Sequence, residues 1–311
     1  MTTGVHAEPR IAGEDAAVLA RRTHYAHFFG DAPAPDGFGV VVGNCQAESL
    51  RITLTSPDVP TVRVPAVHEL TADDAGRLHG LLARAAFLVV QPIHDDYHDL
   101  PLGTRQLRAA LPAGAACVVV PNVRFAGLHP FQAALRVPGV DEDPPVVAYH
   151  DVRVLAEAAG LPLGERLGRD AVRAIAAESV AELRRREQAT DVAASDLFTA
   201  PDFALMRTVN HPGNAVWMPL AERVLAALGT GTPPTDPGRP LLAAVQAPRE
   251  EWVIEAWGSS EPPRDHWVVE GAPVAADEVS AAHREWYRAH PEVVTSALTR
   301  LAPLLAHWRA A

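Results

Sequence analysis

Apolar positions along the chain follow two rhythms. Short β-branched or fully apolar runs at 40–42, 61–64, 87–91 and 117–121 read as buried strands. Between them, residues 13–29 (closing at Gly30), 47–54, 71–85 and 104–111 carry helical spacing, and Thr71 with Asp74 forms a capping-box start. Alternation of this kind predicts an α/β fold, a mainly parallel sheet with helices on both faces. The second half is mostly helical, with amphipathic spacing at 151–159, 171–188, 216–228, 276–289 and 293–308, and residues 251–257 and 266–270 are expected to pair as a small hairpin. A Pro-rich linker at 31–37 and a Gly/Pro/Thr-rich stretch at 229–240 suggest three parts: an N-terminal helix and linker (1–35), an α/β catalytic domain (36–230) and a mostly helical extension (231–311).

Composition narrows the function more by exclusion than by support. The 311 residues are 48% hydrophobic and 21% charged, which describes a globular chain able to bury a full core. The apolar runs are far shorter than a membrane span, and charges interrupt the first twenty residues where a signal peptide needs an apolar stretch, so a cytoplasmic location is expected. A net charge of −11 disfavours nucleic acid or an anionic membrane as partner. Lysine is absent, which excludes a P-loop lysine, a Schiff base and pyridoxal-phosphate chemistry together. Two cysteines, Cys45 and Cys117, allow neither a disulfide scaffold nor a Cys-based zinc cluster.

Polarity switches on abruptly where the predicted strands end. Gly43-Asn44-Cys45-Gln46 places a thiol on the turn between a strand and a helix N-terminus, where the helix dipole favours thiolate. Gln91 to His98 and Asn122 to Pro130 follow the next two apolar runs, and ligands of open α/β sheets bind at such strand ends. A fourth cluster, Thr208 to Asn214, shares the His-Pro dipeptide of the third, and proline holds the preceding imidazole on a rigid turn; Asn214 is expected to cap the helix that follows. His94 and His98 lie on a segment bracketed by Pro92 and Pro101, a loop rather than a helix face, so no metal is expected there. Gly43 lacks the further glycines of a dinucleotide fingerprint. Cys117 opens an apolar run and is expected to be buried and inert, leaving Cys45 as the reactive thiol.

Together GNCQ, QPI-x-DDY, PN-x-x-F-x-G-x-HP, YHD at 149–151, ES-x-x-EL-x-x-RE at 178–187 and T-x-NHP at 208–212 resemble the WcbI-type polysaccharide biosynthesis proteins over roughly residues 20–230. The layout also resembles an SGNH/Rossmann-like one, and SGNH-type hydrolases carry their nucleophile on the turn after the first strand. The resemblance implies binding of coenzyme A and transfer of an acetyl or other acyl group to a hydroxyl or amine acceptor such as a sugar. Cys45 would take the acyl group, or shape the thioester pocket for direct transfer, with His129 or His211 as base. Asn44 and Gln46 would stabilise the oxyanion, and Gly43, Gln91, Asp96, Tyr97, Asn122 and Asn210 would contact substrate or coenzyme A. Arg51, Arg124 and Arg207 lie in or beside the motifs, within reach of phosphates. A thiol esterase, in which water resolves the acyl-enzyme, and a non-catalytic CoA- or sugar-binding accessory protein are the competing expectations.

Overall fold

The run Gly39–Val42 forms β1, and all four of its residues are buried. That fits the central strand of a sheet covered on both faces, where no side of the strand meets water. The computed structural model describes residues 10–140, 142–161 and 163–309, with side chains from residue 16 onward. Two compact units divide the chain: Met1–Val119 with Val224–Thr235, and Val120–Arg223 with Asp236–Ala311.

In the first unit, β1 is joined by β2 (Thr61–Val62), β3 (Phe87–Val90) and β4 (Ala116–Val119) in the order β2-β1-β3-β4, every pair parallel. The expected parallel sheet is therefore present. Around it stand α1 (Arg10–His24), α2 (Ala26–Phe29), α3 (Cys45–Leu54), α4 (Ala72–Leu82) and α5 (Thr104–Ala109). Val40, Val42, Leu88 and Val90 join Leu78 and Leu82 of α4 in one core cluster, while Val41 and Val89 point to the other face and are equally buried. The capping box at Thr71 and Asp74 forms as expected. The single helix expected over 13–29 is broken at Tyr25, whose backbone leaves the helical region, and the second piece closes on Gly30 with φ +79°.

The second unit contains β5 (Gln132–Ala133), β6 (His150–Asp151), α6 (Val152–Ala158), α7 (Arg169–Glu187), β7 (Met206–Thr208), β8 (His211–Pro212), the start of α8 (Asn214–Ala227), β9 (Val245–Gln246), α9 (Glu251–Trp257), β10 (His266–Val269), β11 (Ala272–Ala275), α10 (Ala276–Ala289), α11 (Pro291–Arg300) and α12 (Ala302–Arg309). Residues 251–257 are a helix, not a hairpin strand: Gly258 caps it in the left-handed region (φ +63°), and Trp252, Val253, Ile254 and Ala256 are all buried. A short, nearly continuous apolar run fits a buried helix as well as a strand. The partners of β10 are β11 and β9, both antiparallel. The helix expected over 293–308 restarts after Leu301, because Pro303 has no N–H for the preceding turn and is tolerated only in a first turn.

Candidate functional site

The strand order of the first unit reverses between β1 and β3, since the chain leaves β1 for β2 on one side and returns to β3 on the other. Ligands of open α/β sheets bind in the crevice at the carboxyl ends of such a pair. Gly43 follows β1 and Gln91 follows β3, and the two touch: the Gln91 Oε1 accepts the Asn44 N–H at 2.8 Å. A Cβ on Gly43 would stand 2.2 Å from that oxygen, so only glycine lets the buried Gln91 side chain cross to the turn. The Gly43 carbonyl is fixed from the opposite direction by the Val67 N–H at 2.8 Å.

On this clamped turn Asn44 is the N-cap of α3, its Oδ1 accepting the Gln46 N–H at 2.9 Å. Cys45 is the first residue of the helix and is exposed. Gln46 points inward, 1% exposed, and its Oε1 accepts from Gln91 Nε2 at 3.4 Å. The carboxamides of Gln46 and Gln91 thus face each other and set the turn. Cys117 is half-buried rather than buried, because β4 is the last strand of its sheet.

The loop after Gln91 carries three non-glycine residues with positive φ: Asp96 (53°), His98 (54°) and Asp99 (60°). Gln106 of α5 holds this conformation, accepting the Asp96 and Gly103 N–H groups at 3.0 and 2.9 Å and donating to the Asp96 carboxylate at 2.6 Å. Tyr97 is half-buried, with the rings of His94 and His98 at 5.1 and 4.3 Å. The sequence reading did not single out Gln106; its place three residues after Gly103, the N3 position of a helix start, is the only signal for it.

The remaining candidates belong to the second unit. Asn122 is exposed. His129 is 1% exposed, with the Phe131 and Phe203 rings edge-on and Nε2 3.4 Å from the Met206 carbonyl; burial lowers its pKa to about 3. His211 is half-buried beside the Tyr149 ring, and burial lowers its pKa to about 4. Asn210 accepts from the Tyr149 hydroxyl at 2.8 Å. Asn214 does not cap α8 but lies within it: its side chain accepts the Leu241 N–H and donates to the Arg239 carbonyl.

Much of the remaining motif is scaffolding. The Ser179 hydroxyl accepts the Ala126 N–H, while the Glu187 carboxylate accepts from Ala194 N, Ser195 N and the Ser195 hydroxyl. Among the arginines, Arg51 is bound to Glu48, and Arg124 donates to the Ala134 carbonyl.

The family model described as "Polysaccharide biosynthesis enzyme WcbI" matches residues 38–233. The chain belongs to the WcbI family. A solved structure described as "Structural insights into WcbI, a novel polysaccharide biosynthesis enzyme", the native protein without a disulfide bond between coenzyme A and one of its cysteines, is similar over 88% of this chain and 99% of its own. At 19% identity and a TM-score of 0.72, it shares the fold. No curated protein matches. The WcbI match begins one residue before β1, so it includes the whole Cys45 turn. Among the described residues of this WcbI-family chain, no group of three or more His, Cys, Asp or Glu could hold a metal ion, and no helix is long and apolar enough to cross a membrane.

Proposed function

We propose that this chain is an acyltransferase that moves an acetyl or other acyl group from acyl-CoA, its donor substrate, to a hydroxyl or amine of a sugar or polysaccharide precursor in the cytoplasm. One observation carries this reading: an exposed cysteine at the first position of α3, on a turn clamped by Gln91 where the strand order reverses. Membership of a polysaccharide biosynthesis family, and a structural neighbour whose description pairs coenzyme A with a cysteine, support it.

In the proposed sequence the Cys45 thiolate, favoured by the helix dipole, attacks the thioester carbonyl. The bond to the CoA sulfur breaks, CoA leaves as thiolate, and the acyl group rests on Cys45 as a new thioester. The acceptor hydroxyl then attacks that carbonyl, gives its proton to a histidine, and releases the Cys45 thiolate. Of the two histidines, His211 suits the task better. His129 is enclosed by aromatic rings and cannot touch a substrate, whereas His211 keeps part of its ring open, and its lowered pKa leaves the ring neutral and ready to accept. Gln46 is buried and acts by holding the turn, the Asn44 and Gln46 N–H groups are taken by Gln91 and by Asn44 Oδ1, and oxyanion stabilisation falls to the amide N–H of the Asn44 side chain. Gly43 and Gln91 at the turn, with Asp96, Tyr97, Asn122 and Asn210, are proposed as donor and acceptor contacts.

The test is steady-state turnover of acetyl-CoA with sugar acceptors. Cys45→Ser and His211→Ala should each lower kcat by about 100-fold or more with CoA affinity largely kept, while His129→Phe should keep kcat within about tenfold. Normal turnover by Cys45→Ser would overturn the covalent route.

A further inference from the structure

The arginine next to the T-x-NHP motif is not isolated. Arg207 lies on β7, where its carbonyl accepts the Ala247 N–H, and two residues beyond Ala247 the backbones of Arg249 and Arg264 exchange reciprocal hydrogen bonds at 2.8 and 3.0 Å. Backbone pairing therefore brings three guanidinium-bearing positions side by side within the second unit. Arg207 and Arg249 line one cleft of about 610 Å³, joined there by Arg239.

Counter-charges are fewer than the guanidiniums, and among the described residues only Arg249 is paired with one. Arg207 donates from Nε to the Leu241 carbonyl at 3.3 Å, and among the described residues neither Arg207 nor Arg239 has a carboxylate partner. Arg249 is held over the Phe203 ring at 5.5 Å and pairs with Glu261. The remaining carboxylate of the cleft, Asp236, accepts the Gly238 N–H. Arg264 spends its terminal nitrogens on the Ala247 carbonyl and Gln246, and its buried Nε has no partner. Burial first, and then the repelling charge of Arg249, depress the pKa values of Arg207 and Arg264.

The cleft also receives the N-terminus of α8. A Cβ on Gly213 would meet the Ala204 carbonyl at 2.1 Å and Arg207 Nη2 at 3.6 Å, so the guanidinium stands at the turn from which that fourteen-residue helix starts. Crowded guanidiniums, a helix N-terminus and a chain otherwise strongly acidic describe a place prepared for an anion with several oxygens.

We propose that the Arg207–Arg239–Arg249 cleft binds the diphosphate group of a phosphorylated substrate. Two substrates of a polysaccharide-building acyltransferase carry that group: the acyl-CoA donor, and an acceptor sugar activated as a nucleoside diphosphate. The cleft's affinity for a diphosphate does not depend on whether Cys45 takes an acyl group.

The test is calorimetric titration of the full chain with inorganic pyrophosphate, coenzyme A and uridine diphosphate, repeated with Arg239→Gln and Arg249→Gln. Arg239 is exposed, so its variant should fold, and a urea midpoint for each variant checks this. Pyrophosphate should bind the wild type, each variant should bind about tenfold more weakly, and affinity should fall as sodium chloride is raised. If coenzyme A shows the same loss and uridine diphosphate does not bind, the cleft serves the donor; the opposite pattern assigns it to the activated sugar. No pyrophosphate binding, or equal binding by wild type and both folded variants, overturns the inference. Acylation of Cys45 at saturating acyl-CoA, read separately, stands or falls without it.

Discussion

Gln91→Leu is the perturbation that tests the construction of the Cys45 turn. Leucine matches the volume of glutamine closely enough that no large cavity opens, so the change isolates the hydrogen bonds. Gln91 is 5% exposed, and its Oε1 is the 2.8 Å acceptor for the Asn44 N–H; its removal leaves that donor facing an apolar side chain. An unsatisfied buried group of this kind costs about 1–3 kcal/mol. The Gln46 contact, at 3.4 Å, is near the limit of a hydrogen bond and adds less. A loss of about 2 kcal/mol should lower Tm by about 3 °C for a chain of 311 residues, followed by circular dichroism. The same variant should slow alkylation of Cys45 by iodoacetamide at neutral pH, because a loosened turn no longer holds the thiol at the helix terminus. Gly43→Ala, which drives a Cβ into the same oxygen, should give the same pair of effects. Since both changes break one bond, the double variant should fall short of the sum of the singles by about 1 kcal/mol or more. Full additivity, or a Gln91→Leu melt within about 1 °C of wild type, would refute the reasoning.

Three further outcomes follow from the same geometry. Gly213→Ala should cost about 3 kcal/mol or more, or prevent folding, because the backbone carbonyl of Ala204 lies where the new Cβ must go; a melt like that of wild type would contradict it. Stability should fall by about 5 kcal/mol between pH 7 and pH 5 through His129, His150 and His211, whose rings have pKa values lowered by burial to about 3, about 4 and about 4. The unfolded chain, with histidines near 6.5, takes up protons that the folded chain refuses, so stability is complete above that value and is lost as pH falls toward 4. Urea midpoints across this range should show the slope, and His129→Phe should remove about a third of it; an unchanged slope would contradict the assignment.

The first unit of the fold was readable because several local signals agreed. The β-branched runs, the Gly43–Gln46 turn, the Thr71–Asp74 box and Gly30 each pointed to the element that formed. The place of Cys45 followed from these alone. The second unit was harder, because its strand pairs at 132–133, 150–151 and 211–212 are two residues long and have no period to detect. Residues 251–257 misled because a seven-residue segment with five apolar residues satisfies both templates. Residue type also hides partnership. Gln46 reads as a candidate oxyanion donor until its side chain is seen to be buried against Gln91, and Ser179 and Glu187 read as site motif until their backbone partners are known. Arg249 and Arg264 carry no signal at all in sequence, since only strand pairing brings them beside Arg207.

The central claim, that Cys45 takes the acyl group, is tested most directly by rapid-quench mass spectrometry of the intact protein after mixing with acetyl-CoA, with peptide mapping of the product. The predicted result is one acetyl group on the peptide carrying Cys45, absent in Cys45→Ser, absent from Cys117, and discharged when an acceptor is added. Acetyl-CoA consumed at the wild-type rate with no acetyl group on Cys45 at any time would contradict it.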